Sequence, residues 1–300
     1  MTRRHVRHRP TPVASPVTEP PVDAERDALY TAEELYDAPR YADALDARAY
    51  AWSRERHTRE AARVRALHDF AIDEALDAWT QGRHLVGVMG GHAALRGSED
   101  YLLAARLGHA LGQAHVVATG GGPGAMEAAN LGAWLAAHPV GDVESAAAAL
   151  AVVPGFTPSV QHWVDIALAV RSAYDVRPAA TSLGIPTWFY GHEPPNVFCD
   201  AIAKYFRNAT REAILLEVCD AGIVFLPGAA GTVQEVFQDA CENYYAQPGS
   251  VAPMVLLGRT YWTETLPAWP LLEALARDRA MAPHVHLADS LDEVSEVLRR

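Results

Sequence analysis

Three cysteines, Cys199, Cys219 and Cys241, are too few, too scattered and odd in number for a disulfide framework, and no CxxC pair is present. They read as reduced thiols of a cytoplasmic protein. Lysine is scarcer still, since Lys204 is the only one in the chain. A pyridoxal-phosphate decarboxylase needs a Schiff-base lysine in a supporting constellation, and Lys204 has none around it in sequence. No apolar run reaches the length of a membrane span, and the basic start MTRRHVRHRP has no apolar segment behind it, so neither a membrane protein nor a secretory signal is expected. The phosphate grip GxxxxGK[ST] is missing. His84, His92, His109 and His115 show neither HExxH nor paired ligand spacing, so no metal is expected. Positive charge is in deficit: 25 Lys+Arg stand against 37 Asp+Glu, a net charge of −12, which argues against a general nucleic-acid binder. A local pocket can still be positive and take a phosphorylated small molecule.

What is present is apolar and glycine-punctuated. Half of the 300 residues are hydrophobic, enough for a sizeable core. Residues 1–28 read as a proline-interrupted tail, with an Arg/His cluster from Arg3 to Arg9 that reads as solvated or packed on a partner subunit. Residues 29–80 read as a helical extension. Thr31 with Glu34 is a capping-box candidate, and residues 56–79 carry an apolar stripe at helical spacing. From residue 81 to 300 short apolar runs alternate with glycine turns and helical patterns. The fold class this predicts is α/β: a Rossmann-like, open, mostly parallel sheet with helices on both faces, preceded by the N-terminal helices. Strands are expected at 84–89, 115–119, 148–153, 186–190, 223–226, 251–257 and 285–288. Residues 138–147 read as loop and 196–217 as one long helix. Residues 165–170 fit strand or helix equally.

Three glycine loops follow expected strands: Gly90-Gly91, Gly120 to Gly124, and Gly228 to Gly231. All should open on the carboxyl edge of the sheet, where ligands of such sheets sit. The second is GGGxGxxE and not GxGxxG, and no acidic strand end stands at ribose-clamp distance, so dinucleotide binding is not favoured. Around the third, Gly222 to Tyr245 reads as buried strand, tight turn and helix start. Small residues there let a ligand approach the backbone, and the free N–H groups of a helix start can hold an anion. Arg207 and Arg211, four apart, are candidates for a bidentate grip on phosphate, or for salt bridges to Asp200 or Glu212. Glu127 and Glu235 each follow a glycine loop. Two carboxylates converging on one cleft suggest glycosidic chemistry, and first-turn helix residues favoured by the helix dipole are the equal alternative.

PGAAGTVQE (Pro227 to Glu235) and TGGGPGAMEAAN (Thr119 to Asn130) resemble the two signatures of the LOG-like family, over roughly residues 84–260. Its characterised members are nucleoside 5'-monophosphate phosphoribohydrolases, formerly labelled lysine decarboxylases. The resemblance implies hydrolysis of the N-glycosidic bond of a nucleoside monophosphate, in a homodimer, without cofactor. It implies Glu235 and Arg211 as catalytic residues. It implies Gly228, Ala229, Ala230, Gly231 and Thr232 around the phosphate. Gly91, His92, Gly121, Gly122, Gly124, Glu127 and Arg207 would border the rest of the substrate. The chain departs from the pattern at Ala229, where glycine is usual, and at Glu212, where lysine is usual. Ala229 would carry a penalty if its backbone needed positive φ. These departures support the alternative of a non-catalytic nucleotide-binding or sensing protein of the same fold. A phosphoribosyl carrier or transferase is a third reading.

Overall fold

The computed structural model describes residues 19–55, 58–174, 179–189 and 193–299. The Arg/His cluster of the N-terminus lies outside them. The chain packs from Val22 onward: Val22 and Leu29 are buried, and Arg26 pairs with Glu34 at 3.0 Å while stacking on Tyr30. Four elements follow: α1 (Ala32–Leu35), a 3₁₀ turn (Tyr41–Asp43), α2 (Leu45–Arg54) and the 22-residue α3 (Arg59–Thr80). Thr31 caps α1 through the Glu34 N–H, and Thr58 caps α3 through that of Ala61.

The α/β part runs β1 (Leu85–Met89), α4 (Glu99–Gly112), β2 (Val116–Thr119), α5 (Ala125–Trp134), α6 (Val140–Leu150), α7 (Val160–Ser172), β3 (Ser182–Gly184), β4 (Ala201–Ile202), α8 (Asn208–Glu217), β5 (Ile223–Phe225), α9 (Ala230–Tyr245), β6 (Met254–Leu257), α10 (Trp269–Ala276), β7 (Val285–Ala288) and α11 (Leu291–Leu298). Seven strands pair in the order β4-β3-β2-β1-β5-β6-β7, every pair parallel. The chain therefore builds outward from β1 to β4, then returns to lay β5 on the other side of β1. Gly87, Val88 and Met89 pair with Ile223, Val224 and Phe225 across that switch.

Because successive strand residues point to opposite faces, the central strands feed two cores. Met89, Phe225, Met254 and Leu256 pack with residues of α2, α3, α8, α9 and α10. Val86, Val88, Val224 and Val255 pack with α4, α5, α6, α7 and α11. The expected Rossmann-like sheet, with helices on both faces and helical elements before it, is what forms.

Several expected elements differ. Residues 138–153 hold α6 and a following turn, not loop and strand. Val143, Ala146, Ala147 and Leu150 are its buried positions, a helical and not an alternating spacing. Residues 165–170 belong to α7, capped by Ser159. The strand expected at 186–190 lies earlier, at β3. Pro186 has no N–H to donate, and beyond it Thr187 makes only an isolated bridge to Tyr205. The long helix expected at 196–217 shortens to α8, with β4 taking part of its span.

A buried ion pair fastens the N-terminal helices to the sheet. Lys204 Nζ lies 2.6 Å from Asp46 Oδ1 on α2, and both side chains are essentially sealed from solvent. Asp46 also accepts from Trp188 Nε1 and Tyr41 Oη, each at 2.8 Å. Lys204→Met would leave a hydrogen-bonded carboxylate buried without its cation, at a cost of about 3–5 kcal/mol. Chemical denaturation should show that loss, and the double variant Asp46→Asn/Lys204→Met should recover part of it.

Candidate ligand-binding site

The carboxyl ends of β1, β2 and β5 open into one cleft of about 910 Å³ at the switch between β1 and β5. Its floor is the turn from Pro227 to Gly231 and the start of α9. Helices α1, α3, α4, α7 and α11 begin with a serine or threonine whose side chain accepts a backbone N–H; α9 has Ala229 there and, like α2, α5, α6, α8 and α10, no side-chain cap. Ala230, Gly231 and Thr232 of its first turn line the cleft, and their N–H groups, as at any helix start, have no partner within the helix. Gly228 is fixed by its neighbour, because a Cβ there would stand 2.2 Å from Thr232 Oγ1 and 2.7 Å from Thr232 Cβ. Tyr261, in a π-helical turn (Tyr261–Thr265), also lines the cleft and donates to the Gly228 carbonyl at 2.7 Å, which braces the turn. Ala229 has φ −91°, so the penalty considered for it does not arise.

Arg211 reaches the cleft from α8, as its place before β5 predicts. Its Nη1 stands 3.9 Å from Glu235 Oε1 and its Nη2 stands 3.9 Å from Glu212 Oε1. Nη2 donates to Asn208 Oδ1 at 3.1 Å, while the buried Nε has no partner among the described residues. Glu212 is held by Asn208 Nδ2 at 2.7 Å and Gln234 Nε2 at 2.9 Å. Burial pushes the Glu235 carboxyl up to about 7; Arg211 opposes that rise and Glu212 adds to it. His92, beside Glu193 at 3.6 Å, and Asp100 complete the charged lining. The cleft is thus acidic apart from Arg211 and the N-terminal end of α9.

Of the residues singled out from the sequence, Gly91, His92, Gly122, Arg211, Gly228, Ala229, Ala230, Gly231, Thr232 and Glu235 line this cleft. Four do not. Glu127 is buried on α5 in an ion pair with Arg96 of the β1–α4 loop, Arg96 Nε donating to Glu127 Oε2 at 2.9 Å. Arg96 also donates to the Val153 and Trp163 carbonyls and lies over the Trp163 ring. This carboxylate serves to tie the β1–α4 loop to α5. Gly121 packs against Pro186 and Gly124 against the backbone of His92, both behind the cleft wall. Arg207 is the exposed N-cap of α8, so it does not share a helix face with Arg211. Asp200, considered as an arginine partner, instead accepts the N–H groups of Thr181 and Ser182.

The residues that support the cleft carry little signal in the sequence. Asn130 accepts from Thr119 Oγ1 at 2.6 Å and from Asn196 Nδ2 at 2.9 Å, and Asn196 Nδ2 also donates to the Gly122 carbonyl at 3.2 Å. This buried network holds the second glycine loop. Asn130 closes the motif TGGGPGAMEAAN, which was the one signal available; Arg96, Asn196, Glu193 and Tyr261 gave none. Among the described residues no group of three or more His, Cys, Asp or Glu could hold a metal ion, and no helix is long and apolar enough to cross a membrane.

No protein-family model matches the chain, and no curated protein does. Solved structures do align. One is the molybdenum cofactor binding protein from the phototrophic bacterium Rippkaea orientalis: 19% identity, 73% of this chain, 97% of that one and a TM-score of 0.46. Another is the Moco carrier protein from Chlamydomonas reinhardtii: 20% identity, 72% and 98% of the two chains and a TM-score of 0.43. These findings correct the expectation of LOG-like membership: no family model supports it, and the structures that align are named for binding and carrying. The phosphoribohydrolase activity and the assignment as an enzyme fall with it. At this similarity the alignments assign no ligand to this chain.

Proposed function

We propose that the protein is a non-catalytic binder of a phosphate-bearing, nucleotide-like ligand. The observation that carries the reading is the uncapped start of α9 on the floor of a large cleft at the sheet's switch point. Backbone N–H groups of Ala230 to Thr232 take the phosphate, and Arg211 supplies the one arginine beside it. Gly91 lies beside Gly228 at the phosphate turn, and His92 and Gly122 line the cleft with it, where the rest of the ligand lies. The acidic lining favours a ligand whose remaining groups are hydrogen-bond donors.

Calorimetry of the full chain with AMP, CMP, GMP, UMP and molybdenum cofactor tests this reading. At least one ligand should bind, and chromatography of the monophosphate mixtures should show no free base. Gly228→Ala, which pushes Thr232 and the start of α9 out of place, should weaken binding at least about tenfold, roughly the loss of one charge-assisted hydrogen bond. Absence of binding by all five ligands would remove the site, and release of base would remove the non-catalytic role.

A further inference from the structure

Arg211 stands between two carboxylates of the cleft, and the two are not equivalent. Glu212 is held by Asn208 and Gln234. Glu235 receives no hydrogen bond from the described residues, and its only nearby cation is Arg211, at 3.9 Å, too far for direct hydrogen bonding. The three side chains are largely buried, with 11%, 15% and 17% of Arg211, Glu212 and Glu235 exposed.

A phosphate dianion on the α9 turn adds negative charge within one helical turn of Glu235. One guanidinium and the partial charge of a helix end cannot balance that phosphate together with two carboxylates. The other charged groups of the cleft do not help. Asp100 on α4 and Glu193 after β3 are acidic, and His92 on the β1 loop faces Glu193. Asp239, one turn further along α9, is a buried carboxyl, and Tyr261 is bound to the Gly228 carbonyl.

Resting on the binding reading above, we propose that the ligand's phosphate enters together with one proton, which Glu235 takes up. The balance is simple: phosphate dianion, Glu235 carboxylate and a proton give a complex with a neutral Glu235 carboxyl, and no bond of the ligand breaks. Released from repulsion, the carboxyl can donate a hydrogen bond to a ligand oxygen and leave Arg211 to the phosphate. Burial has already brought this carboxyl to about 7, so the proton is available near neutrality.

The test is titration calorimetry of the full chain with AMP at pH 7.5, in buffers of low and high ionisation enthalpy. The apparent enthalpy should differ between buffers by the equivalent of more than half a proton taken up. Between pH 7.0 and 8.5, where the phosphate of AMP is already dianionic, affinity should fall roughly tenfold. Glu235→Gln should abolish both effects and bind AMP at pH 8.5 at least as tightly as the parent protein. Binding with a buffer-independent enthalpy overturns the proton uptake and leaves the binding site standing. Uptake that persists in Glu235→Gln overturns the assignment to Glu235. If AMP gives no heat, the same titrations are run with whichever of the five ligands above binds, and no heat with any of them or with inorganic phosphate overturns the site reading and this proposal with it. If Glu235→Gln does not fold, as judged by circular dichroism, the parent's affinity against pH decides, a flat profile overturning the proposal.

Discussion

Gly132→Ala should lower stability by about 3 kcal/mol or more and bring the apparent Tm down by roughly 6 °C or more. A glycine inside an exposed helix normally gains up to about 1 kcal/mol on replacement by alanine, so the expected sign is opposite to the usual one. The reason lies where α5 crosses α4. A Cβ on Gly132 would stand 1.8 Å from the Ala105 carbonyl oxygen and 2.6 Å from the His109 nitrogen. Both are backbone atoms of α4 and cannot rotate aside. The helices would have to part, and α4 and α5 share the core that Val86, Val88 and Val117 fill from the sheet. Gly141→Ala is the control, since a Cβ there meets nothing within 4 Å. It should be neutral or slightly stabilising. Gly132→Ala as stable as the parent would mean that the two helices do not approach this closely.

Residues 84–89 and 223–226 are apolar runs ending in glycine or proline, and both became the central strands on which the cleft depends. Residues 148–153 are equally apolar, yet the alanines from 146 to 149 suit a helix and packed as one. A short apolar run does not by itself distinguish the two. Strands β3 and β4 are three and two residues long, too brief for any alternation to show. In the site, the turn before α9 and the position of Arg211 followed from chain order. Glu127 did not, because the direction of a first-turn carboxylate depends on what packs beside it, here Arg96 from 31 positions earlier in the chain. The family resemblance rested mostly on glycines. Gly228 answers to the bulk of Thr232, and Gly124 to the backbone of His92. Such glycines report how closely loops of a parallel sheet approach one another, which many proteins of this architecture share whatever they bind.

The second large effect concerns Asp239, one turn beyond Glu235 on α9. Its Oδ2 is buried with no hydrogen-bond partner among the described residues, and its Oδ1 receives only a long bond from Asn243 Nδ2 at 3.4 Å. Burial pushes this carboxyl up to about 8, with Glu242 adding to the rise. The folded value thus lies above the unfolded one, so the folded chain holds the proton more tightly. Stability from this group is fully present below about pH 4 and is lost progressively as pH rises to about 8. Glu235 acts in the same direction, up to about pH 7. The parent protein should therefore show a lower urea midpoint at pH 8.5 than at pH 5.5. Asp239→Asn removes the charge while keeping the shape, and its amide can still pair with Asn243. At pH 8.5 the variant should be more stable than the parent by about 3 kcal/mol, since each pKa unit corresponds to about 1.4 kcal/mol and relaxation of the site absorbs part of the shift. Near pH 4 the two should unfold at nearly the same urea concentration. An asparagine variant less stable than the parent at pH 8.5 would mean that the ionised carboxylate has a cation or a water in that pocket to hold it.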